Sequence, residues 1–487
     1  MGVRVRYAPS PTGYQHIGGV RTALFNFLFA RSQGGTFVLR IEDTDRERYT
    51  EHALQDIYDT FSWLGIHWDE GPDVGGPFSP YFQSERKEIY RQYAEQLVAS
   101  EHAYRCYCSP ERLEELRKQQ QKNRQAQGYD RHCRSLTAEE REKRAREGSP
   151  YVIRLKIPLS GSTSFHDQIL GDISRSNQDI NPDPVLLKSD GFPTYHLANV
   201  IDDHLMRITH ILRGQEWIPT VSVHVILYEA FGWTPPEYYH LPMVLGSDGQ
   251  KLSKRHGSTR IIDFRREGYL PEALINYISL LGWSHDESRE FFTLEELQQL
   301  FSQEKLNKAP SVFDYKKLQW FNGVYIRKKT DRDLEDLIKP YLLEDGLIEE
   351  QPTEREKELL RGVIPLVKER LRMISEAPSL VRFLFREVGS YDRDSLIPRR
   401  LDREKTREVL EQVGGSLNHF ESLSEEQREQ RFRDMAEEKG IKLGDLLMPL
   451  RVALTGSRVS LPLFESIRLL GVQKTQQRIR KALKALE

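Results

Sequence analysis

The chain has 487 residues, 30% of them charged, with 71 Lys and Arg against 73 Asp and Glu. That length calls for two or more domains with sizeable cores, and no apolar stretch approaches the roughly 18 residues a membrane span needs, which argues against a membrane-crossing helix. The net charge of −2 gives no overall basic footprint, so any nucleic-acid contact must use local basic patches with acidic surface elsewhere.

Val3, Val5 and Tyr7 alternate with Arg4 and Arg6, which predicts a short half-buried strand. A strand starting there leaves no room ahead of it for a signal or transit peptide, so a cytoplasmic protein is expected. Pro9, Pro11 and Gly13 force a turn. Ala23, Leu24, Phe27 and Leu28 recur at helical spacing over residues 20–31, and Gly34 and Gly35 close that helix. A second strand follows in TFVLRIED, then a helix over residues 85–98. The chain's three cysteines, Cys106, Cys108 and Cys133, all fall in one segment. An odd count without an export signal argues against disulfides, and thiolates beside His132 make a candidate tetrahedral zinc knot. Residues 111–148 are highly charged and helical, and YVIRLKIP with FHDQILGDI predicts a β insertion. The α/β pattern returns over residues 189–245. From Arg327 onward helical periodicity dominates.

Two segments carry phosphate-handling chemistry. APSPTGYQHIGG, residues 8–19, sits where a strand hands over to a helix. Unpaired N–H groups and the helix dipole favour an anion there, Gly18 and Gly19 allow close backbone approach, and His16 can donate a hydrogen bond in either charge state. DGQKLSKRHGS, residues 248–258, places Lys251, Lys254 and Arg255 on a polar loop after HLPMVLG, a strand leading out of a sheet. Ligands of open α/β sheets bind beyond the carboxyl ends of such strands. Taken alone, the first is an ordinary Gly-rich turn and the second a solvated charge run.

Taken together, HIGG and KLSKR resemble the two ATP-binding motifs of class I aminoacyl-tRNA synthetases. RYAPSPTG, RTALFNFLFAR, LRIEDTDRER, WLGIHWDEGP, SDGFPTYHLANVIDDHLM and GYLPEALINYISLLGW narrow the resemblance to bacterial-type glutamyl-tRNA synthetase. It runs from Val3 to about Ile326 and more weakly through KLGDLLMPLRVALTG.

The resemblance implies an α/β Rossmann-type catalytic domain (residues 1–105 and 189–245) with an inserted α/β acceptor-stem-binding domain (106–188). It further implies a KLSKR loop with stem-contact helices (246–326) and an all-α C-terminal anticodon-binding region (327–487). The implied substrates are L-glutamate, ATP with Mg²⁺ and tRNA-Glu; tRNA-Gln stays open as a second acceptor. The implied protein is a monomer whose activation step requires tRNA.

By the same resemblance, His16, Lys251 and Lys254 carry the phosphate chemistry, and Gly18, Gly19, Trp217, Ser253 and Arg255 complete the ATP site. Arg6, Ala8, Ser10, Glu42, Tyr195, Asn199 and Arg213 form the glutamate pocket, Glu42 taking the α-ammonium. Arg213 is assigned the choice of acid over amide, because a bidentate charged pair is lost with the nearly isosteric glutamine. Arg370 and Arg451 align with anticodon positions. Tyr129 and Cys133 match a Tyr-x-x-x-Cys pattern that supplies zinc ligands in some relatives, so Tyr129 competes with His132 as fourth ligand. Where many class I enzymes carry a second histidine, this chain has Gly19. A truncated relative that modifies tRNA-Asp would lack the C-terminal helices, a glutaminyl enzyme would show β-barrel alternation there, and a non-catalytic RNA-binding paralogue would have no need of His16, Lys251 and Lys254.

Overall fold

The computed structural model describes residues 2–45 and 47–487; Met1 and Arg46, the latter in the LRIEDTDRER block, lie outside the described residues. Two compact units are present. One comprises residues up to 264 and 274–314, the other 265–273 and 315–487.

In the first unit β1 (Arg4–Tyr7) and β2 (Thr36–Leu39) pair in parallel, Arg4 opposite Thr36 and Tyr7 opposite Leu39, with α1 (Ile17–Ser32) as the crossover. The apolar pattern predicts α1 from residue 20, but the helix begins three residues earlier. His16 caps it, and glycine is tolerated in a first turn whose N–H groups have no intrahelical acceptor. Eleven α1 residues are buried, so this helix is central rather than amphipathic. Next come α2 (Glu51–Leu64), capped by Thr50 and closed by Gly65 at φ 70°, and α3 (Lys87–Ala99).

β3 (Ala103–Cys106) forms an antiparallel sheet with β4 (Val152–Leu155) and β7 (Val185–Leu187); the charged helices α4 (Pro110–Lys122) and α5 (Ala138–Arg146) lie between β3 and β4 in the chain. β5 (Ser162–Asp167) and β6 (Gly171–Ser176) make a hairpin. The hairpin joins β9 (Glu237–Leu241) and β8 (His210–Gly214) in a four-stranded sheet of order β6-β5-β9-β8. β8, β9 and β5 run parallel, so segments about 70 residues apart stand side by side. α6 (Tyr195–Leu205) and α7 (Ile218–Phe231) pack with α3 over a core of Tyr90, Ile153, Leu186, Leu197, Ile201 and Leu227. HLPMVLG splits at Pro242, which has no N–H to donate; β10 (Val244–Leu245) follows it and pairs with β11 (Ser311–Val312). Short helices α8 (Ile261–Arg266), α9 (Pro271–Ser279) and α10 (Leu294–Leu300) lie between these strands in the chain.

The second unit is helical among its described residues: α11 (Tyr315–Lys328), α12 (Asp331–Glu344), α13 (Glu354–Lys368), α14 (Ala377–Phe385), α15 (Arg393–Leu396), α16 (Arg403–Ser416), α17 (Glu425–Glu438), α18 (Leu443–Thr455), α19 (Leu463–Leu470) and α20 (Val472–Ala485). Side-chain caps start several of these, including the reciprocal Thr353–Glu356 pair at α13 and the Ser424–Gln427 pair at α17. Among the described residues, no helix is long and apolar enough to cross a membrane.

Candidate active site

A cleft of about 1260 Å³ opens at the carboxyl ends of β1 and β8, lined by Arg6 to Ser10 and His16 to Gly19, by Tyr195, Asn199, Arg213 and Trp217, and by Lys251 to Lys254. At one end the two phosphate-handling segments meet. The Ile17 N–H donates to Thr259 O and the Ile261 N–H to Gln15 O, both at 3.0 Å, so the tail of the KLSKR loop is tied to the start of α1. His16 Nδ1 accepts the Gly19 N–H at 3.2 Å. That bond requires the tautomer with its proton on Nε2, which leaves Nε2–H as a donor. Desolvation, then Lys251, lowers the His16 pKa, so the neutral form prevails at pH 7.

A side chain at Gly19 would meet the Tyr7 hydroxyl at 2.9 Å from its Cβ. That hydroxyl donates to Gln15 at 2.7 Å, so glycine at this position follows from Tyr7. Across the cleft Asp248 organises the basic loop: it accepts from Gln250 N and His256 Nε2, each at 2.9 Å, and pairs with Arg255 at 3.2 Å. His256 Nδ1 in turn accepts the Ser253 N–H at 3.0 Å. Lys251 lies 3.5 Å from Glu216, while Lys254 has no ion-pair partner among the described residues. Both lysines line the cleft and stay solvated.

The other end is a buried charge cluster. Arg6 grips Asp203 through Nε (3.0 Å) and Nη2 (3.2 Å). Arg40 bonds the same carboxylate at 2.7 Å and Glu42 at 3.2 Å, and Asn199 donates to Glu42 at 3.3 Å. Burial raises the Glu42 pKa, opposed by Arg40 and Arg6. Asp202, fully buried, takes Arg86, Gln83 and Tyr90. Ala8 and Ser10 line the cleft beside this cluster.

Arg213 is different. It is 5% exposed, and among the described residues its three nitrogens meet only neutral partners: Nε donates to His240 Nε2 (3.1 Å), Nη1 to the Tyr195 hydroxyl (2.7 Å) and Nη2 to Thr220 (3.4 Å). A buried guanidinium without an anion is costly unless a ligand supplies one. Trp217, 40% exposed, packs its ring 4.8 Å from that of Tyr195 at the cleft wall.

The cysteine segment forms its own cluster, separate from the cleft lining. The three sulfur atoms lie within 4.8 Å of one another, and the Tyr129 hydroxyl is 3.3 Å from Cys106 Sγ and 3.5 Å from Cys108 Sγ. His132 is exposed and outside this group, so Tyr129 is the side chain that the fold brings to the sulfurs. Three thiols and a phenol, half enclosed, are a donor set that suits zinc.

In the second unit, Arg370 is exposed just after α13 and Arg451 is half-buried on α18, with Nη1 bonded to Ser460 Oγ (2.5 Å) and Leu461 O (2.9 Å). Burial and then the charge of Arg370 lower the Arg451 pKa, so the fold brings these two cations, 81 positions apart in sequence, within each other's field.

Residues 2–320 match the family described as tRNA synthetases class I (E and Q), catalytic domain, and residues 333–483 match an anticodon binding domain. A strand–helix cleft closed by two phosphate-handling motifs is the hallmark of that class, and the chain belongs to it. Relatives within the class include glutamate–tRNA ligases of high identity. The ligase of Treponema denticola is 55% identical over 99% of both chains, and that of Borreliella burgdorferi 53% identical over 99% of this chain and 98% of its own. The crystal structure of a glutamate tRNA ligase from Elizabethkingia meningosepticum in complex with its amino acid superposes with a TM-score of 0.87 at 36% identity, covering all of both chains. The chain is a member of the glutamate–tRNA ligase family.

Sequence reasoning missed Arg40, Asp202, Asp203, Asp167 and His240. The acidic doublet inside the apolar run HLANVIDDHL was the available signal for the first three, since charges on a buried helix face demand partners.

Proposed function

We propose that the cleft joins L-glutamate to the 3′ end of tRNA-Glu through a glutamyl-adenylate. In the first step a glutamate α-carboxylate oxygen attacks the α-phosphorus of ATP, a new O–P bond forms, and pyrophosphate leaves with the electron pair. In the second a terminal ribose hydroxyl attacks the activated carbonyl and AMP departs. Neither step needs a covalent enzyme intermediate, so the protein contributes positioning and charge stabilisation. His16 Nε2–H, Lys251 and Lys254 take the charge on the phosphates. Gly18 and Gly19 offer backbone, and Trp217, Ser253 and Arg255 complete the nucleotide site, with Mg²⁺ carried by ATP. Arg213 faces the side-chain carboxylate and Glu42 the α-ammonium, while Arg6, Ala8, Ser10, Tyr195 and Asn199 shape the pocket.

The observation that carries this assignment is the buried Arg213, without a carboxylate partner among the described residues, in the same cleft as a neutral His16 and a Lys254 that has no ion-pair partner among those residues. Residues 106–188 are assigned to the acceptor stem, 246–326 to stem contacts and 327–487 to the anticodon. The enzyme acts as a cytoplasmic monomer.

The test is ATP–pyrophosphate exchange with glutamate or glutamine, with and without tRNA-Glu. Exchange with glutamate alone, and only with the tRNA present, is the expected result. Exchange indifferent to glutamate, or none with tRNA, overturns the assignment. Cys106, Cys108, Cys133 and Tyr129 would hold a structural zinc ion, which would tie β3 to the loop carrying Tyr129. Metal analysis should then find zinc at one equivalent per chain, and chelation should lower the melting temperature while Cys133→Ser abolishes that response.

A further inference from the structure

Arg6 and Arg213 are both buried arginines of the same cleft, yet the fold treats them differently. Arg6 is capped directly by the Asp203 carboxylate. Arg213 also has a carboxylate behind it, Asp167, but an imidazole stands between. Asp167 ends β5, His240 lies on β9 and Arg213 on β8, three adjacent parallel strands. Arg213 is the register partner of His240, and Asp167 that of Tyr238. His240 Nδ1 lies 2.6 Å from Asp167 Oδ2 and His240 Nε2 3.1 Å from Arg213 Nε. Asp167 and His240 are fully buried.

The tautomer follows from the donors. Arg213 Nε–H can only donate, so His240 Nε2 must be the lone-pair nitrogen and the ring proton sits on Nδ1, facing Asp167. Asp167 is itself immobilised, accepting the backbone N–H groups of His240 (3.1 Å), Ile169 (3.0 Å) and Leu170 (2.9 Å). A proton on Nε2 instead would set two N–H groups against each other and leave the Asp167 carboxylate without its imidazole donor.

We propose that Asp167 and His240 are positioning residues that set the choice of acid over amide by aligning Arg213 while leaving its charge unspent. Asp167 fixes the tautomer, His240 pins the Nε edge of the guanidinium, and Tyr195 and Thr220 hold the other nitrogens. Direct pairing of Arg213 with Asp167 would quench it, as Asp203 does along one edge of Arg6. The interposed neutral ring supplies a lone pair without cancelling the positive charge, so the substrate's side-chain carboxylate becomes the first anion to reach it. The β5–β6 hairpin, from the segment inserted between the halves of the nucleotide-binding fold, thereby contributes to amino-acid selection.

This inference rests on the assignment of Arg213 to the glutamate side chain. The test is tRNA-dependent charging by the full-length protein with glutamate and glutamine, comparing wild type, His240→Leu, His240→Gln, Arg213→Gln and the double variant His240→Leu with Arg213→Gln. His240→Leu removes the lone pair and should raise KM for glutamate about ten- to a hundredfold, the range of a lost hydrogen bond to a charged group. It should narrow the glutamate-to-glutamine preference by the same factor and leave KM for ATP unchanged. His240→Gln, whose amide oxygen can accept from Nε–H, should recover most of the loss. In the Arg213→Gln background the leucine substitution should add nothing.

Unchanged glutamate KM in His240→Leu overturns the proposal. So do additive effects in the double variant, or a parallel fall of ATP and glutamate parameters together with the melting temperature. If His240→Leu fails to fold, His240→Gln decides alone: near-wild-type preference supports the lone-pair role and a collapsed preference overturns it. Wild-type protein that does not charge glutamate would instead sink the underlying assignment.

Discussion

At the scale of single residues, partnership rather than position decides what a charged side chain can do. Arg213 and Lys254 are cations of the cleft without a carboxylate partner among the described residues, one dry and one solvated, and they predict different losses. On the proposed assignment Arg213→Gln removes the desolvated charge that pairs the substrate, so glutamate selection over glutamine should weaken by about 2–5 kcal/mol while KM for ATP holds; charging kinetics with both amino acids measure it. On the same assignment Lys254→Ala removes a solvated charge that matters only when the phosphates bear extra negative charge. It should lower the activation rate by about tenfold or more, with folding cooperativity and melting temperature unchanged. Loss of both rate and cooperativity would mark Lys254 as structural.

Part of the cleft was legible from the chain: His16, Lys251 and Lys254, singled out on two segments of phosphate-handling composition, line one cavity. The role of Gly19 was not, because the hydroxyl that forbids a side chain there belongs to Tyr7, twelve residues back. Asp167 and His240 were likewise hidden, because only strand order, not spacing, sets residues 73 apart against each other.

At the scale of elements, α6 and α7 carry a pair of histidines that the fold keeps neutral. The His196 and His224 rings lie 5.4 Å apart, close to Arg213. Burial first, then the Arg213 charge, lowers the His196 pKa from 6.5 to about 4, and His224 is displaced in the same direction. Both effects disfavour the imidazolium in the folded state, so between those two pH values the unfolded chain binds more protons. Stability from this site is therefore complete above about pH 6.5 and is lost as pH falls toward 4, by about 3 kcal/mol for His196. Denaturant titrations across that window should show the decline, and His196→Leu should flatten it while keeping stability at pH 7.5. An acid limb unchanged in the variant would assign the decline to other groups. The sequence showed only an α/β pattern over residues 189–245; α7, with Val221 to Tyr228 all buried, has no one-sided apolar spacing to mark it as a helix. Nor were the neutral histidines legible, since HLANVIDDHL gives no sign of which face meets Arg213.

At the scale of the whole molecule, the cleft and most of the region that matches an anticodon binding domain fall in different compact units. The cleft lies wholly in the first unit. Arg370 and Arg451 lie in the second, which has its own helical core and incorporates residues 265–273. Asn322 stitches that segment in by accepting the Leu270 N–H at 2.7 Å and donating to Gly268 O (3.2 Å) and Arg372 O (2.6 Å). The helical character of this region was legible; the proximity of Arg370 to Arg451 required the packing of α13 against its neighbours. Arg451 is locked by Ser460 and Leu461, whereas Arg370 is exposed, and the proposed contact with the last anticodon base falls to it. A guanidinium only donates. On the Watson–Crick edge it finds two acceptors on cytosine, O2 and N3, against one on guanine, O6, whose neighbouring N1–H and N2–H oppose it, so along that edge it favours cytosine. Glutamine at this position both donates and accepts, so Arg370→Gln should narrow the preference for an anticodon ending in C over one ending in G by about tenfold, the low end of what one well-placed base contact supplies. The glutamate and ATP KM values should not move, because the amino-acid and nucleotide contacts belong to the other unit. Parallel charging of tRNA-Glu and tRNA-Gln by wild type and variant measures the ratio directly. A ratio that stays fixed would remove Arg370 from the reading of that base, and a ratio that moves together with the glutamate KM would mean the substitution acts on the fold rather than on the anticodon.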